Sequence, residues 1–361
     1  MSLKTSLLFI VVATLLLLSV VVHAQLLPKQ FYEDAVDNAI KTNTIKSNLM
    51  GFSVSAATTM VRYSGAAYCA RANANALTKW NCQTCRNTPT LTDVTVFAGS
   101  TARGFVGYEK SGNRIIVAFS GTPGKSIATW AANLDARNAD YSKCSGCKVH
   151  KGFWDGYNGV KNVMMNAVKN LSNKYKAPIV CTGHSLGGAQ CLFAIADIYT
   201  TSGLTLAKEH YTFGAPRTGN TKFASYITGL PITIYRLVNN ADLVPHVPPS
   251  WSNIVSFGTV DYRHIAMEVF HRNGQYTTCS ATDGEDSKCP SALIPVSVSD
   301  HLTYVGYEFG SDNPDCASGW KSAEADGKED LIPLDIKMSD IYPNAAEVDA
   351  INMLRVVQID A

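Results

Sequence analysis

Apolar positions between residues 45 and 316 follow two alternating rhythms. Arg114-Ile-Ile-Val-Ala-Phe119 is a nearly continuous apolar run, too short for a helix and closed by Ser120-Gly121-Thr122, which predicts a strand buried on both faces. Ile179 to Thr182 predicts a second buried strand, and His210 to Phe213 and Ile232 to Val238 predict two more. Val160, Val163, Met164, Ala167, Val168 and Leu171 share one helical stripe and predict a helix over 160–173. Leu186 to Thr200 is strongly apolar and predicts a second helix. Strands and helices in this alternation predict an α/β fold, a mostly parallel central sheet with helices on both faces.

The two ends depart from that rhythm. Lys4 precedes an uncharged run from Leu7 to Val22, and Val22-His23-Ala24 places small residues where a signal peptidase reads. Residues 1–24 are therefore read as a secretory signal peptide, since the run falls short of the ~20 residues that span a bilayer and no basic cluster follows it. Residues 25–44 form an N-terminal segment, 45–316 the domain and 317–361 a C-terminal extension. The product is expected to be extracellular, with no integral membrane segment. Its hydrophobic content of 46 % excludes a disordered chain, and a net charge of +2 gives no support for a nucleic-acid surface.

An oxidising compartment turns most of the 10 cysteines into expected disulfides. Cys82-x-x-Cys85 and Cys144-x-x-Cys147 are read as local bridges. Zinc knuckles sit roughly 15–20 residues apart, far closer than these two, and Trp80 to Cys85 is a polar loop rather than a redox strand–helix junction. Cys279 and Cys289 flank an acidic loop and are expected to pair. Cys181 lies in a buried strand and Cys191 in an apolar helix, and both are expected to remain free thiols.

The sharpest local pattern is Gly183-His184-Ser185-Leu186-Gly187-Gly188-Ala189, between a predicted strand and a predicted helix. A nucleophile there sits on a strained turn that needs small neighbours, which Gly183 and Gly187 supply. The turn lifts Ser185 to the carboxyl end of the sheet, beside the free N–H groups of the following helix. A serine hydroxyl needs a base held by an acid, and in this chain order the acid and then the histidine follow it. Asp242, just past the strand 232–238, leads Asp261 as the acid. His301 leads His271 as the base. His246 lies too close to Asp242 to reach Ser185, and His184, His210 and His264 read as packing or surface. No metal-site spacing of His, Cys and carboxylate is present, so neither metal nor cofactor is expected.

With these residues in view, the chain resembles the secreted fungal-type class 3 lipases, such as those of Rhizomucor and Thermomyces. Thr182 to Ala189 is similar to that family's nucleophile elbow, Asn239 to Pro249 to its acid loop and Asp300-His301-Leu-Thr-Tyr304 to its histidine loop. Val149 to Phe153 and Ala215 to Asn220 are similar to further family landmarks. The resemblance implies an α/β-hydrolase fold with a short helical lid, and a triad of Ser185, Asp242 and His301. It also implies bridges Cys69–Cys316, Cys82–Cys85, Cys144–Cys147 and Cys279–Cys289, and gives Cys181 and Cys191 no counterpart. The family's oxyanion loop reads Phe-Arg-Gly-Ser. Here it is Phe119-Ser120-Gly121-Thr122, which assigns the oxyanion hole to the N–H groups of Thr122 and Leu186 and puts Ser120 where the arginine stands.

The expected function is hydrolysis of long-chain acylglycerols at lipid–water interfaces by a triacylglycerol lipase, with a lipid ester as the partner. The alternatives are a feruloyl esterase or phospholipase A1 on the same scaffold, and a secreted binding protein that has lost catalysis. The last requires a missing triad member, and none is missing. Ile127, Trp130, Ala131 and Leu134 recur at i, i+3, i+4 and i+7, with Ser126 as N-cap and Pro123-Gly124 as a hinge. Periodicity alone fits an ordinary core helix. Its position makes it similar to the lipase lids, whereas feruloyl esterases of the family are polar there. Asn170-Leu171-Ser172 is an N-glycosylation sequon, which marks Asn170. Nothing in the sequence fixes an oligomeric state.

Overall fold

A computed structural model describes residues 51–122, 127–132, 134, 137–248, 261–286, 289, 297–309, 312 and 314–316. The signal peptide, the N-terminal segment, the C-terminal extension, the Pro123-Gly124 hinge and the Ser126 cap lie outside the described residues. Every described residue belongs to one compact unit within residues 47–336.

In chain order the strands are β1 (Leu91–Ala98), β2 (Arg103–Glu109), β3 (Arg114–Phe119), β4 (Asn138–Asp140), β5 (Lys148–His150), β6 (Ile179–His184), β7 (Glu209–Phe213), β8 (Gly219–Asn220), β9 (Thr233–Asn239), β10 (Tyr262–Arg263), β11 (Glu268–Arg272), β12 (Gln275–Thr278), β13 (Thr303–Tyr304) and β14 (Tyr307–Glu308). The longer helices are α1 (Val54–Ala66), α2 (Ile127–Ala132), α3 (Lys151–Tyr175), α4 (Leu186–Tyr199) and α5 (Thr221–Thr228). The main sheet has the order β1-β2-β3-β6-β7-β9-β11-β12. Its middle, from β3 to β11, is parallel, while β1 and β2 on one edge and β12 on the other are antiparallel. A second sheet of four short strands has the order β10-β8-β5-β4.

Alternation along the strands divides the core. Ile115, Val117 and Phe119 of β3 pack with Met164 and Val168 of α3 and Ile195 of α4. Ile116 and Ala118 point the other way, into a cluster with Met60 and Val61 of α1 and Tyr211 and Leu237. Each such side chain contributes about 1.5–3 kcal/mol when fully buried. Helices therefore cover both faces, as the apolar pattern predicts.

Two elements differ from expectation. The helix expected over 160–173 is α3, 25 residues long, because it starts at Lys151. Its first turns carry Gly152, Gly156 and Gly159, weak helix formers that hide the pattern. Phe153 and Tyr157 in the same turns are buried, so packing overrides propensity there. The edge strands β1 and β2 also escape the sequence pattern: β1 interleaves buried Leu91 and Phe97 with exposed polar positions. Asn170 is exposed on α3, five residues before its last residue.

All four expected disulfides are present: Cys69–Cys316, Cys82–Cys85, Cys144–Cys147 and Cys279–Cys289. The first joins residues 247 apart and ties the start of the domain to its end. A chain-entropy argument assigns such a loop upward of about 4 kcal/mol. Cys181 and Cys191 are buried free thiols. Thiol labelling without reductant is expected to find no reactive thiol in the native protein and two after denaturation. A count of zero after denaturation would show a fifth bridge.

Candidate active site

Ser185 stands where β6 ends and α4 begins, with φ 57° and ψ −133°, a backbone conformation that L residues avoid. Its neighbours hold it there. Ser185 N–H donates to the Phe213 carbonyl at 2.8 Å, and Gly188 N–H donates to the Ser185 carbonyl at 2.8 Å. A Cβ on Gly183 would lie 2.3 Å from the Gly187 carbonyl oxygen, and one on Gly187 would lie 2.5 Å from that of Phe119. Neither position admits a side chain.

Asp242 follows β9 and is fully buried. Its carboxylate accepts the His301 Nδ1 hydrogen at 2.8 Å to Oδ2 and 3.0 Å to Oδ1, the Val244 N–H at 2.8 Å, and the Tyr304 hydroxyl. Burial, and then the Asp242 charge, pushes the Tyr304 phenol well above its ordinary range, so it remains a donor. With Nδ1 turned to Asp242, His301 has Nε2 free to take a proton. His301 Nε2 and Ser185 Oγ are both buried, and neither has a hydrogen-bond partner. They do not bond each other in this conformation, but the His301 ring lies 4.5 Å on centres from that of His184, the residue before Ser185.

The other candidates fall elsewhere. Asp261 accepts from Thr221 Oγ1 at 2.6 Å, at the start of α5. His271 Nδ1 bonds Asn239 Oδ1 at 2.7 Å and stacks on Tyr276, away from Ser185 and Asp242. Asn239 in turn donates from Nδ2 to the Asp300 and Thr303 carbonyls, at 3.1 and 2.8 Å, and so anchors the loop that carries His301.

The loop after β3 abuts the serine. A Cβ on Gly121 would lie 2.5 Å from Ser185 Cβ, so the loop that carries Thr122 runs against Ser185. Leu186 N–H is the first of α4 and has no intrahelical partner. α2 covers this region. Ile127 is fully buried and packs on Val244 and Val298, with Trp130 and Leu302 beside it. Trp130 also stacks on Phe153 of α3 at 6.0 Å between ring centres. Ala131 is buried and Leu134 packs on the main core. Of the expected stripe, Ile127 and Trp130 therefore face the residues that flank Asp242 and His301, while Leu134 lies beyond the end of α2 and packs on the main core.

The acid loop has its own clamp. Arg217 pairs through Nε and Nη2 with both Glu285 oxygens, each at 2.8 Å, and donates from Nη1 to the His246 and Pro248 carbonyls, at 2.7 and 3.0 Å. Burial opposes ionisation of Glu285, but Arg217 holds its carboxyl well below the usual range. The Cys279–Cys289 bridge closes the loop that carries Glu285. Sequence alone assigns no role to this clamp, Tyr304 or Asn239, because their partners lie 29 to 68 residues away and no local spacing marks them. Among the described residues, one group could bring three metal-ligating atoms together, Glu268, Cys279 and Cys289. Its two sulfurs are bonded to each other, so it does not fit a metal.

The class 3 lipase family model matches residues 116–251, from β3 through the elbow and the acid loop. The solved lipase of Rhizopus microsporus var. chinensis superposes with a TM-score of 0.64 at 32 % identity, over 72 % of this chain and 89 % of that one. The chain belongs to the class 3 lipase family. Its fold is the α/β-hydrolase fold of these lipases. A further solved structure, of a triacylglycerol lipase whose catalytic centre is a serine protease triad, matches with a TM-score of 0.61 at 33 % identity, over 72 % of this chain and 96 % of that one. The Rhizomucor miehei lipase is 36 % identical over 206 residues, which are 54 % of this chain and 53 % of that protein. The chain thus spans about half the length of the curated relatives it matches.

Two outcomes follow for stability. Replacing Glu285 by Gln leaves Arg217 buried without its counter-charge, and is expected to cost on the order of 3 kcal/mol in urea denaturation. Acid should also destabilise the fold. Burial pushes His184 and His264 well below their ordinary value and His210 to about 4. A depressed folded value means stability that is complete above the unfolded value, near 6.5, and falls with pH below it, by up to about 1.4 kcal/mol per pH unit for each histidine. Glu285 adds to the loss below about pH 4.3. Thermal melts are expected to be flat from pH 8 to 7 and to drop steadily from 6.5 to 4. An unchanged Tm across that lower window would refute the buried neutral histidines.

Proposed function

We propose that the chain is a secreted serine ester hydrolase that acts on acylglycerols at a lipid–water interface, a triacylglycerol lipase. The observation that carries this reading is the buried Asp242–His301 pair, whose imidazole lies 4.5 Å on centres from the ring of His184, the residue before the strained Ser185, with the apolar Ile127 and Trp130 of α2 packed on the same loops. Family membership supports the activity. The leader-like residues 1–24 support secretion.

In this reading Ser185 Oγ attacks the ester carbonyl carbon as His301 Nε2 takes its proton. The carbonyl oxygen becomes an oxyanion held by the N–H groups of Leu186 and Thr122, with the N-terminal dipole of α4 adding to the attraction. The C–O bond breaks, and the imidazolium returns the proton to the departing alcohol. Water then attacks the acyl-serine with His301 as base, releasing the fatty acid and restoring Ser185. Asp242 fixes the imidazole tautomer and faces the imidazolium when it forms. Ser185→Ala and His301→Ala are expected to lower turnover by several orders of magnitude without loss of folding, while Asp242→Asn with near wild-type turnover would exclude Asp242 as the orienting acid.

The apolar stripe of α2 sets the substrate class. In water it covers apolar surface near the site; at a lipid surface it can exchange that contact for lipid, and the open state gains population. Hydrolysis of a triacylglycerol should rise sharply as substrate passes its solubility limit. Trp130→Ser should weaken that rise more than it weakens hydrolysis of a dissolved short-chain ester. A smooth saturation curve unaffected by the substitution, together with preference for methyl ferulate or phospholipid in the same assay, would replace the acylglycerol reading with the corresponding esterase.

A further inference from the structure

Tyr68 and His184 have no part in the chemistry above, yet both are buried against it. His184 is fully buried, stacked on Phe309 at 3.7 Å between ring centres, with the His301 ring at 4.5 Å on centres. Its Nε2 lies 2.8 Å from the His301 carbonyl oxygen. A carbonyl only accepts, so Nε2 carries the hydrogen. The buried ring is neutral, which leaves Nδ1 as an acceptor. The Tyr68 hydroxyl, 2.7 Å from Nδ1, must therefore donate. The Tyr68 oxygen also abuts the loop after β3: a Cβ on Gly121 would lie 2.8 Å from it. From the Gly121 contact the two hydrogen bonds run in one direction, from Tyr68 O–H to His184 and from His184 Nε2–H to the His301 carbonyl.

We propose that Tyr68 and His184 are positioning residues that hold the oxyanion loop and the histidine loop at a fixed separation. This rests on the hydrolase reading above. Gly121 immediately precedes Thr122, and His301 is the base, so the contact and the two bonds together connect the two loops that must meet the substrate from opposite sides of Ser185. Bonds aligned in one sense polarise one another, which stiffens the link beyond its separate members. Misplacing a reacting group by about 1 Å costs on the order of 10²-fold in rate. The ring of His184 also separates Tyr68 from His301, so neither residue alone can bridge the loops.

The test uses Tyr68→Phe, His184→Gln and the double variant of the full chain. Active serine is counted with diethyl p-nitrophenyl phosphate, and turnover per titrated site is measured on a dissolved short-chain ester. Tyr68→Phe is expected to retain a full count of titratable serine, to lower kcat about 10- to 100-fold and to leave KM within twofold. The double variant should lose no more than the worse single variant, since either change breaks the same chain. Amide hydrogen exchange should quicken in both 119–122 and 300–304 in Tyr68→Phe and in His184→Gln. A kcat within twofold of the parent, losses that multiply in the double variant, or faster exchange in one loop alone would overturn the link. A parent protein that neither titrates nor hydrolyses ester would instead sink the hydrolase reading, and the exchange measurement would still decide whether the two loops are joined.

Discussion

The fully buried carboxylate of Asp242 makes the strongest demand on the fold around it. A buried carboxylate is costly unless its oxygens are bonded, and breaking such a set by removing one partner costs several kcal/mol. Here the donors come from separate stretches: Val244 from the same loop, and His301 and Tyr304 from about 60 residues later. Tyr304 also receives the Asn239 N–H at 3.2 Å, so the end of β9 joins the set. Ser297 N–H bonds the Ala241 carbonyl at 3.0 Å, drawing the approach to the histidine loop alongside the acid loop. Satisfying one carboxylate thus brings β9, the acid loop and the β13–β14 hairpin to one place, and that place is where His301 stands.

The parallel middle of the sheet explains why these loops can meet at all. Parallel strands end on the same edge, so the turns after β3, β6, β7 and β9 gather there. The edge then has to be kept from relaxing, because Ser185 is strained and its carbonyl and N–H are tied to Gly188 and Phe213. Covalent and ionic ties close it from outside. Cys69–Cys316 fastens the last turn of the domain beside Tyr68, and Arg217 with Glu285 braces the acid loop from the side of the small sheet. A bidentate arginine suits that brace, since one planar group meets two carboxylate oxygens and two backbone carbonyls at once.

Much of this was legible from residue order, and what was legible was local. The elbow is a strand, two glycines and a helix in one short stretch, so its fold and its serine could be read together. The apolar runs at 114–119 and 179–182 are buried on both faces, which leaves no polar interruption to obscure them. Asp242 and His301 could be ranked above Asp261 and His271 by their place in the chain, and the resemblance narrowed them further. What sequence concealed was long-range. Tyr304 sits in a motif already singled out, yet nothing in it tells that its hydroxyl reaches Asp242. His184 read as packing, which its burial bears out, but its two ring bonds depend on Tyr68 and His301, 116 and 117 residues away. Glycines at 152, 156 and 159 masked the first turns of α3, where buried aromatics outweighed their low propensity.

α2 shows how a short element is held by apolar contact. Six residues are too few to be helical alone in water, so its order comes from what it touches. Ile127 is held by Val244 and Val298, which belong to the acid and histidine loops, and Trp130 by Phe153, which belongs to α3. These contacts are apolar, with no ion pair among the stripe residues to set a direction, and non-directional contacts can be exchanged for any other apolar surface of similar area at small net cost. Water offers no such surface, so there the helix remains on the loops. A lipid layer does, and on the function proposed here the substrate phase itself provides the surface that lets the helix leave. The loops beneath are held independently, since Asp242 takes its donors from Val244, His301 and Tyr304 and Glu285 from Arg217, none of them in α2.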